Sequence, residues 1–179
     1  MRYYAIEILL EGRLKDDALH AVSKVKRNVP LSKPIKCIDP HICLSAGTCS
    51  DETRLVYEFE ELLQALSPFE LKSNGLGVFI CKAPVIYIRW VRNKELMEVF
   101  RKVYGKIQPL WKETYPNYQQ ELWEPKTTLF LNEVEYSSLP QVIEEIKDID
   151  FRQMMTVNSI ALDRIDSDNI QTLKSICLQ

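Results

Sequence analysis

The sequence predicts an α+β fold: two pseudo-symmetric lobes of antiparallel-rich sheet, with helices on the outer faces and a central cleft between them. Three observations carry this expectation. Segments alternating at a period of two, such as Tyr3–Leu10, His41–Ala46, Val85–Val91 and Lys126–Leu131, suit half-buried strands. Between them lie stretches whose apolar residues recur at helical spacing. The order strand, helix, strand, helix, strand then begins afresh after Ala83-Pro84, dividing one bilobal domain, 1–179, into lobe-forming repeats of roughly 1–82 and 83–179.

Taken in order, residues 3 to 10 form a strand with Tyr4, Ile6, Ile8 and Leu10 on its core face. Asp16 and Asp17 open a helix, where negative charge suits the amino end, and Ala18, Ala21, Val22 and Val25 give its stripe. The His41 strand follows Pro30 and Pro34. Ser50 and Asp51 can cap a helix that buries Leu55, Val56, Phe59, Leu62, Leu63 and Leu66. Phe69–Leu76 and Gly77–Cys81 read as two strands around an Asn74-Gly75 turn.

In the second copy, Val85–Val91 is a strand and Asn93 caps a helix striped by Leu96, Val99, Phe100, Val103 and Ile107. Pro109 ends that helix, and an aromatic-rich loop leads to the Lys126 strand. Ser138 and Gln141 have capping-box spacing ahead of Val142, Ile143, Ile146 and Ile149. Phe151–Leu162 closes as a strand, and Ile170–Leu178 adds one at the edge.

Composition narrows the function classes. Of 179 residues, 46% are apolar and 27% charged, as in a globular protein with a real core. With 23 Lys+Arg against 25 Asp+Glu, the formal charge of −2 supplies no global field for a long phosphate backbone. Duplex DNA is therefore excluded as a partner, whereas an RNA end or a small nucleotide needs only local charge. No apolar run spans a bilayer, and no signal-peptide cleavage pattern follows the first strand, so no membrane partner is expected. The five cysteines, Cys37, Cys43, Cys49, Cys81 and Cys177, have no zinc spacing. They read as reduced thiols of a cytoplasmic protein without a metal.

The chemistry gathers on two strands of like plan. In Pro40-His41-Ile42-Cys43-Leu44-Ser45, His41, Cys43 and Ser45 share one face while Ile42, Leu44 and Ala46 share the other. In Pro125-Lys126-Thr127-Thr128-Leu129, Lys126 and Thr128 face away from Thr127, Leu129 and Leu131. Each strand offers an ionisable group and then a small donor, so the pair can hold one phosphate between them.

These segments resemble the two His-x-Thr/Ser-x motifs of the 2H phosphoesterase superfamily, which contains the 2'-5' RNA ligases and cyclic nucleotide phosphodiesterases. Element order agrees from about Tyr3 to Leu162, and Pro68–Leu71 through Gly75–Phe79 is similar to the strand pair after the family's first motif. The resemblance implies a bilobal fold, no cofactor, and a 2',3'-cyclic or 2'-5' phosphodiester on an RNA end or small nucleotide as ligand. It also implies that His41 is an acid or base, with Lys126, Thr128 and Cys43 holding phosphate. Lys126 stands where the family has its second histidine, and Cys43 where it has its first Thr/Ser. Histidine titrates near neutrality, whereas lysine stays charged unless burial lowers its pKa, and a thiol is a weaker donor than a hydroxyl. The phosphate site survives these changes better than the acid–base pair does. The alternatives are a non-catalytic module of the same fold that binds a nucleotide or phosphorylated metabolite, and an interaction protein with an empty groove. The oligomeric state is not legible.

Other residues join the cleft face by parity. With Ile86, Ile88 and Trp90 in the core, Tyr87 and Arg89 face the cleft, as do Tyr3 and Glu7 on the first strand. Tyr87 suits stacking on a base; Arg89 either supplements the phosphate site in fork geometry or pairs with a surface carboxylate. Trp111, Tyr115, Tyr118 and Trp123 either frame a nucleobase or pack down their loop. A His41–Cys43 nucleophile pair is disfavoured, because alternate strand residues sit about 7 Å apart at Cα. His20 reads as a helix-surface residue.

Overall fold

The computed structural model describes residues 2–35, 39–64, 66–166 and 169–179, so Cys37 lies outside the described residues. The elements are β1 (Arg2–Leu9), α1 (Gly12–Asn28), β2 (His41–Cys49), α2 (Glu52–Leu63), β3 (Phe69–Phe79), β4 (Val85–Trp90) and α3 (Lys94–Ile107). They continue with β5 (Glu113–Thr114), β6 (Lys126–Phe130), α4 (Leu139–Ile146), β7 (Met154–Val157), β8 (Ser159–Asp166) and β9 (Asn169–Cys177). One sheet runs β5-β2-β1-β8-β9 and the other β6-β4-β3-β7, with antiparallel pairing throughout. This is the expected α+β architecture of two lobes.

Each half of the sequence lends strands to the other's sheet. β3 leaves the first half to pair with β4, while β8 and β9 leave the second to flank β1. The helices cross over as well: α3 packs on β2 and against α2, and α1 packs on β6 and against α4. Most of the predicted stripes are what these helices bury, including Leu55, Phe59 and Leu63 on α2 and Leu96, Phe100, Val103 and Ile107 on α3, whereas Ile143, expected on the α4 stripe, is exposed. On β1, Tyr4, Ile6 and Ile8 are buried, with Leu10 just beyond the strand.

The two copies match down to a backbone irregularity. Ile6 pairs with Ser45 and Glu7 with Cys43, so Leu44 is an extra residue on β2. Ile86 pairs with Phe130 and Tyr87 with Thr128, so Leu129 is the extra residue on β6. The same approach recurs before each bulge: Leu10 N–H donates to Pro40 O at 2.8 Å, and Trp90 N–H to Pro125 O at 3.3 Å. A bulge sets two residues against one and reverses side-chain parity beyond it.

That reversal corrects several expectations. Ser45 leaves the His41 face and turns inward, where its Oγ accepts from Trp111 Nε1 at 2.7 Å. Phe130 replaces Leu131 on the buried face, and Leu131 is exposed. Residues 69–79 form one bent strand rather than two, because Gly75, at φ +76°, absorbs the irregularity within the ladder. The expected strand 151–162 is two strands in different sheets, β7 and β8. α1 begins at Gly12, a turn before Asp16. Asp51 and Asn93 cap as expected, accepting from Arg54 N–H and Leu96 N–H at 2.9 Å each. Ser138 makes no side-chain cap, since Gln141 donates instead to Asn28 O at 2.8 Å. That contact fastens α4 to the end of α1.

Candidate functional site

β2 and β6 run side by side where the two sheets meet, which brings the two motif strands into one cleft. His41 opens β2 immediately after Pro40. Its Nδ1 lies 2.8 Å from the carbonyl oxygen of Asp39, so the Nδ1 proton is the one donated there. Lys15 holds the Asp39 carboxylate at 3.2 Å and steadies that carbonyl. Nε2 is therefore the nitrogen free to gain and lose a proton, and it faces Glu7 Oε1 at 3.4 Å.

Cys43 lies two residues on, on the same face. Burial pushes its thiol pKa far up, the Glu7 charge adds to this, and Tyr118 and Lys126 oppose it. The thiol therefore stays protonated, and its contact with the Tyr118 hydroxyl, together with a 3.6 Å approach to Ser45 O, occupies it. Burial likewise raises Tyr118 and Tyr3, with Cys43 the next cause for each. Tyr3 also sets its ring 6.0 Å from that of Tyr115. Tyr3, Cys43, Tyr115 and Tyr118 thus form one wall of hydroxyl and thiol groups.

Lys126 closes the opposite side. Burial lowers its pKa, against the pull of Cys43 and Glu124, and its Nζ sits 5.8 Å from the centroid of the Phe79 ring. Thr128, the matching small donor, is exposed. Thr127 points into the core and accepts from Trp90 Nε1 at 3.0 Å, which fixes the strand's orientation. Arg89 pairs in register with Lys126, is exposed, and has no carboxylate partner among the described residues. Tyr87 is packed rather than open. It lies over Gly77, where an added Cβ would meet the ring at 2.5 Å, and stacks on Phe79 at 4.3 Å. The half-exposed aromatic there is Phe79.

The aromatic loop divides its labour. Trp111 and Trp123 are buried structural anchors: Trp123 stacks on Phe100 at 4.0 Å and donates to Cys43 O at 3.0 Å, bracing β2 from behind. Tyr115 and Tyr118 border the cleft. His20 is exposed on α1, as expected.

The sequence reading placed Glu7 on the cleft face without a role and did not reach Asp163. Glu7 is 5% exposed, and burial pushes its pKa up to about 7; the His41 charge works against this and Asp163 adds to it. Asp163, at 3% exposure on β8, has an Oδ1 with no hydrogen-bond partner among the described residues. An aspartate following the apolar run Ile160-Ala161-Leu162 is the signal that marks it. Among the described residues, no group of three or more His, Cys, Asp or Glu can hold a metal ion. No described helix is long and apolar enough to cross a membrane. Two surface depressions, beside residues 146–152 and 11–14, lie away from the cleft. Charges in the first neutralise one another, as Arg152 and Asp150 do at 3.2 Å.

No family model matches the sequence, and no curated protein matches it significantly. The likeness is one of fold: solved structures align over nearly the full length, and the chain has the two-lobed architecture found in LigT. TT0787 of Thermus thermophilus aligns with a TM-score of 0.72 at 17% identity, covering 99% of this chain and 98% of that one. E. coli LigT complexed with 3'-AMP gives 0.65 at 14% identity with the same coverage. Kluyveromyces marxianus Usb1 gives 0.55 at 11%, covering 96% and 97%. LigT has also been solved with phosphate, ATP and NADP+. These likenesses are consistent with the 2H phosphoesterase fold that the motifs resemble.

Proposed function

We propose that this protein is a 2H phosphoesterase-like enzyme acting on an RNA end or small nucleotide that carries a 2',3'-cyclic or 2'-5' phosphodiester. The observation that carries the reading is the equivalence of the two motif strands. His41-Ile42-Cys43-Leu44 and Lys126-Thr127-Thr128-Leu129 share register, bulge position and preceding proline contact. LigT structures that hold 3'-AMP and phosphate support a nucleotide ligand. In this reading Lys126, Thr128 and Arg89 hold the phosphate oxygens, with ammonium and guanidinium opposing charge that grows in the transition state. His41 Nε2 takes a proton from the attacking water as the new O–P bond forms. The Lys126 ammonium, made more acidic by burial, gives a proton to the ribose oxygen as its P–O bond breaks. His41 ends with one proton more and Lys126 with one fewer, and exchange with solvent resets both.

A second reading is favoured by Lys126 and by the engaged thiol of Cys43: a binding module for a nucleotide or phosphorylated metabolite, without turnover. Assaying 2',3'-cyclic mononucleotides separates the two. Hydrolysis by the wild type that disappears in His41→Ala is the outcome expected of the enzyme. No turnover, with saturable thermal stabilisation by 3'-AMP that Lys126→Ala abolishes, overturns the enzyme in favour of the binder. Indifference to all such ligands overturns both.

A further inference from the structure

The carboxyl group of Glu7 faces His41 from the neighbouring strand, β1. Glu7 lies on β1 opposite Cys43, two rungs from the Leu9–His41 pair, with Oε1 3.4 Å from Nε2. Because Nδ1 is committed to Asp39 O at 2.8 Å, the nitrogen that titrates is the one turned toward this carboxyl. Beside Glu7 stands Asp163 on β8, paired in register with Ala5 of β1 and equally buried. Burial pushes the Glu7 pKa up, and Asp163 beside it adds to the rise. The remaining titratable groups around Glu7 are Cys43 on β2, Tyr3 on its own strand and Tyr118 in the loop. Burial keeps all three neutral, which leaves Glu7 as the acid that faces the imidazole.

We propose that Glu7, backed by Asp163, is the proton-sharing partner of His41, so that carboxyl and imidazole titrate as one unit and give the cleft a proton carrier in place of its missing second imidazole. This rests on the phosphoesterase reading for its purpose but not for its existence. Glu7 touches His41 rather than substrate, so it is a positioning residue. Its carboxylate holds the imidazolium that forms when Nε2 takes the proton of water, and the proton stays within the pair. Burial pushes Glu7 up to about 7, which keeps this exchange within the neutral range.

The chain has two histidines, and His20 is exposed on α1, so the Cε1–H resonances give a probe and an internal control in the intact protein. Titrated by NMR, wild-type His41 should report two ionisations and Glu7→Gln one, while His20 reports one in both. Asp163→Asn keeps Glu7 but removes its acidic neighbour, and should move one of the two inflections to lower pH. A His41 curve with a single ionisation, superimposable in wild type and Glu7→Gln and unmoved by Asp163→Asn, overturns the proposal. In the active enzyme, Glu7→Gln should change the shape of the kcat/KM–pH profile, whereas a merely structural role would lower it evenly. Absence of turnover in the wild type would defeat the phosphoesterase reading and leave the titration to decide this one.

Discussion

At the position where a second imidazole would stand, Lys126 carries an ammonium whose pKa burial pushes down. A lysine gives a proton more readily than it takes one, so replacing it tests what it limits. Lys126→His should raise hydrolysis of 2',3'-cyclic nucleotides by at least about tenfold, within the ~10²–10⁴ that general acid–base catalysis contributes. An unchanged rate would show that Lys126 is not what limits turnover. Glu7 gives a stability prediction with a definite sign. Its folded pKa, about 7, is raised from the ordinary 4.5, so the folded state favours the neutral acid. Stability from this group is present below about pH 4.5 and is lost as pH rises through about 7. Glu7→Gln should therefore be more stable than wild type at pH 8, by up to ~3 kcal/mol, with the gap closing by pH 4. Denaturant melts at the two pH values check it, and an equal gap at both would contradict it. The strand positions of His41, Lys126, Cys43 and Thr128 were legible because each motif repeats a spacing. Glu7 was placed on the cleft face by parity, but its burial and its neighbour Asp163, which β8 brings alongside from far along the chain, were not legible.

Elements hold these residues through contacts that a period-two reading does not contain. The bulges at Leu44 and Leu129 reverse parity, and they exist only because β1 and β4 pair where they do. Sequence alternation therefore assigned Ser45 to the wrong face, while Ile42 and Thr127, ahead of the bulges, fell correctly. The turned-in Ser45 meets Trp111, and Gly47 makes room for the same indole: an added Cβ there would lie 2.6 Å from the ring and from Glu113 O. Gly47→Ala should cost about 1–3 kcal/mol by overpacking, and Trp111→Phe about as much by leaving a buried hydroxyl unpaired. Equilibrium unfolding measures both. Wild-type stability in both variants would mean that the loop does not brace β2. Helix stripes were the most readable feature because one buried face suffices to define them, as on α3. The capping box at Ser138 failed because Gln141 had a better partner in Asn28, a residue remote in sequence.

On the scale of the whole molecule, the repeat is legible but the exchange of strands is not. Element order reveals two copies, yet nothing local in Phe69–Phe79 says that it pairs with β4 rather than β1. Because β3 and β8 each complete the other half's sheet, separate peptides 1–82 and 83–179 should show little structure alone and gain it on mixing. Circular dichroism follows this, and a half that folds by itself would contradict the interleaving. The same exchange holds β2 against β6, the strands that carry His41 and Lys126. The most direct test of that arrangement is a crystal structure of the protein with 3'-AMP. The account predicts its phosphate within hydrogen-bonding distance of both the His41 ring and Lys126 Nζ. A phosphate bound elsewhere, or held by only one of the two, would contradict it.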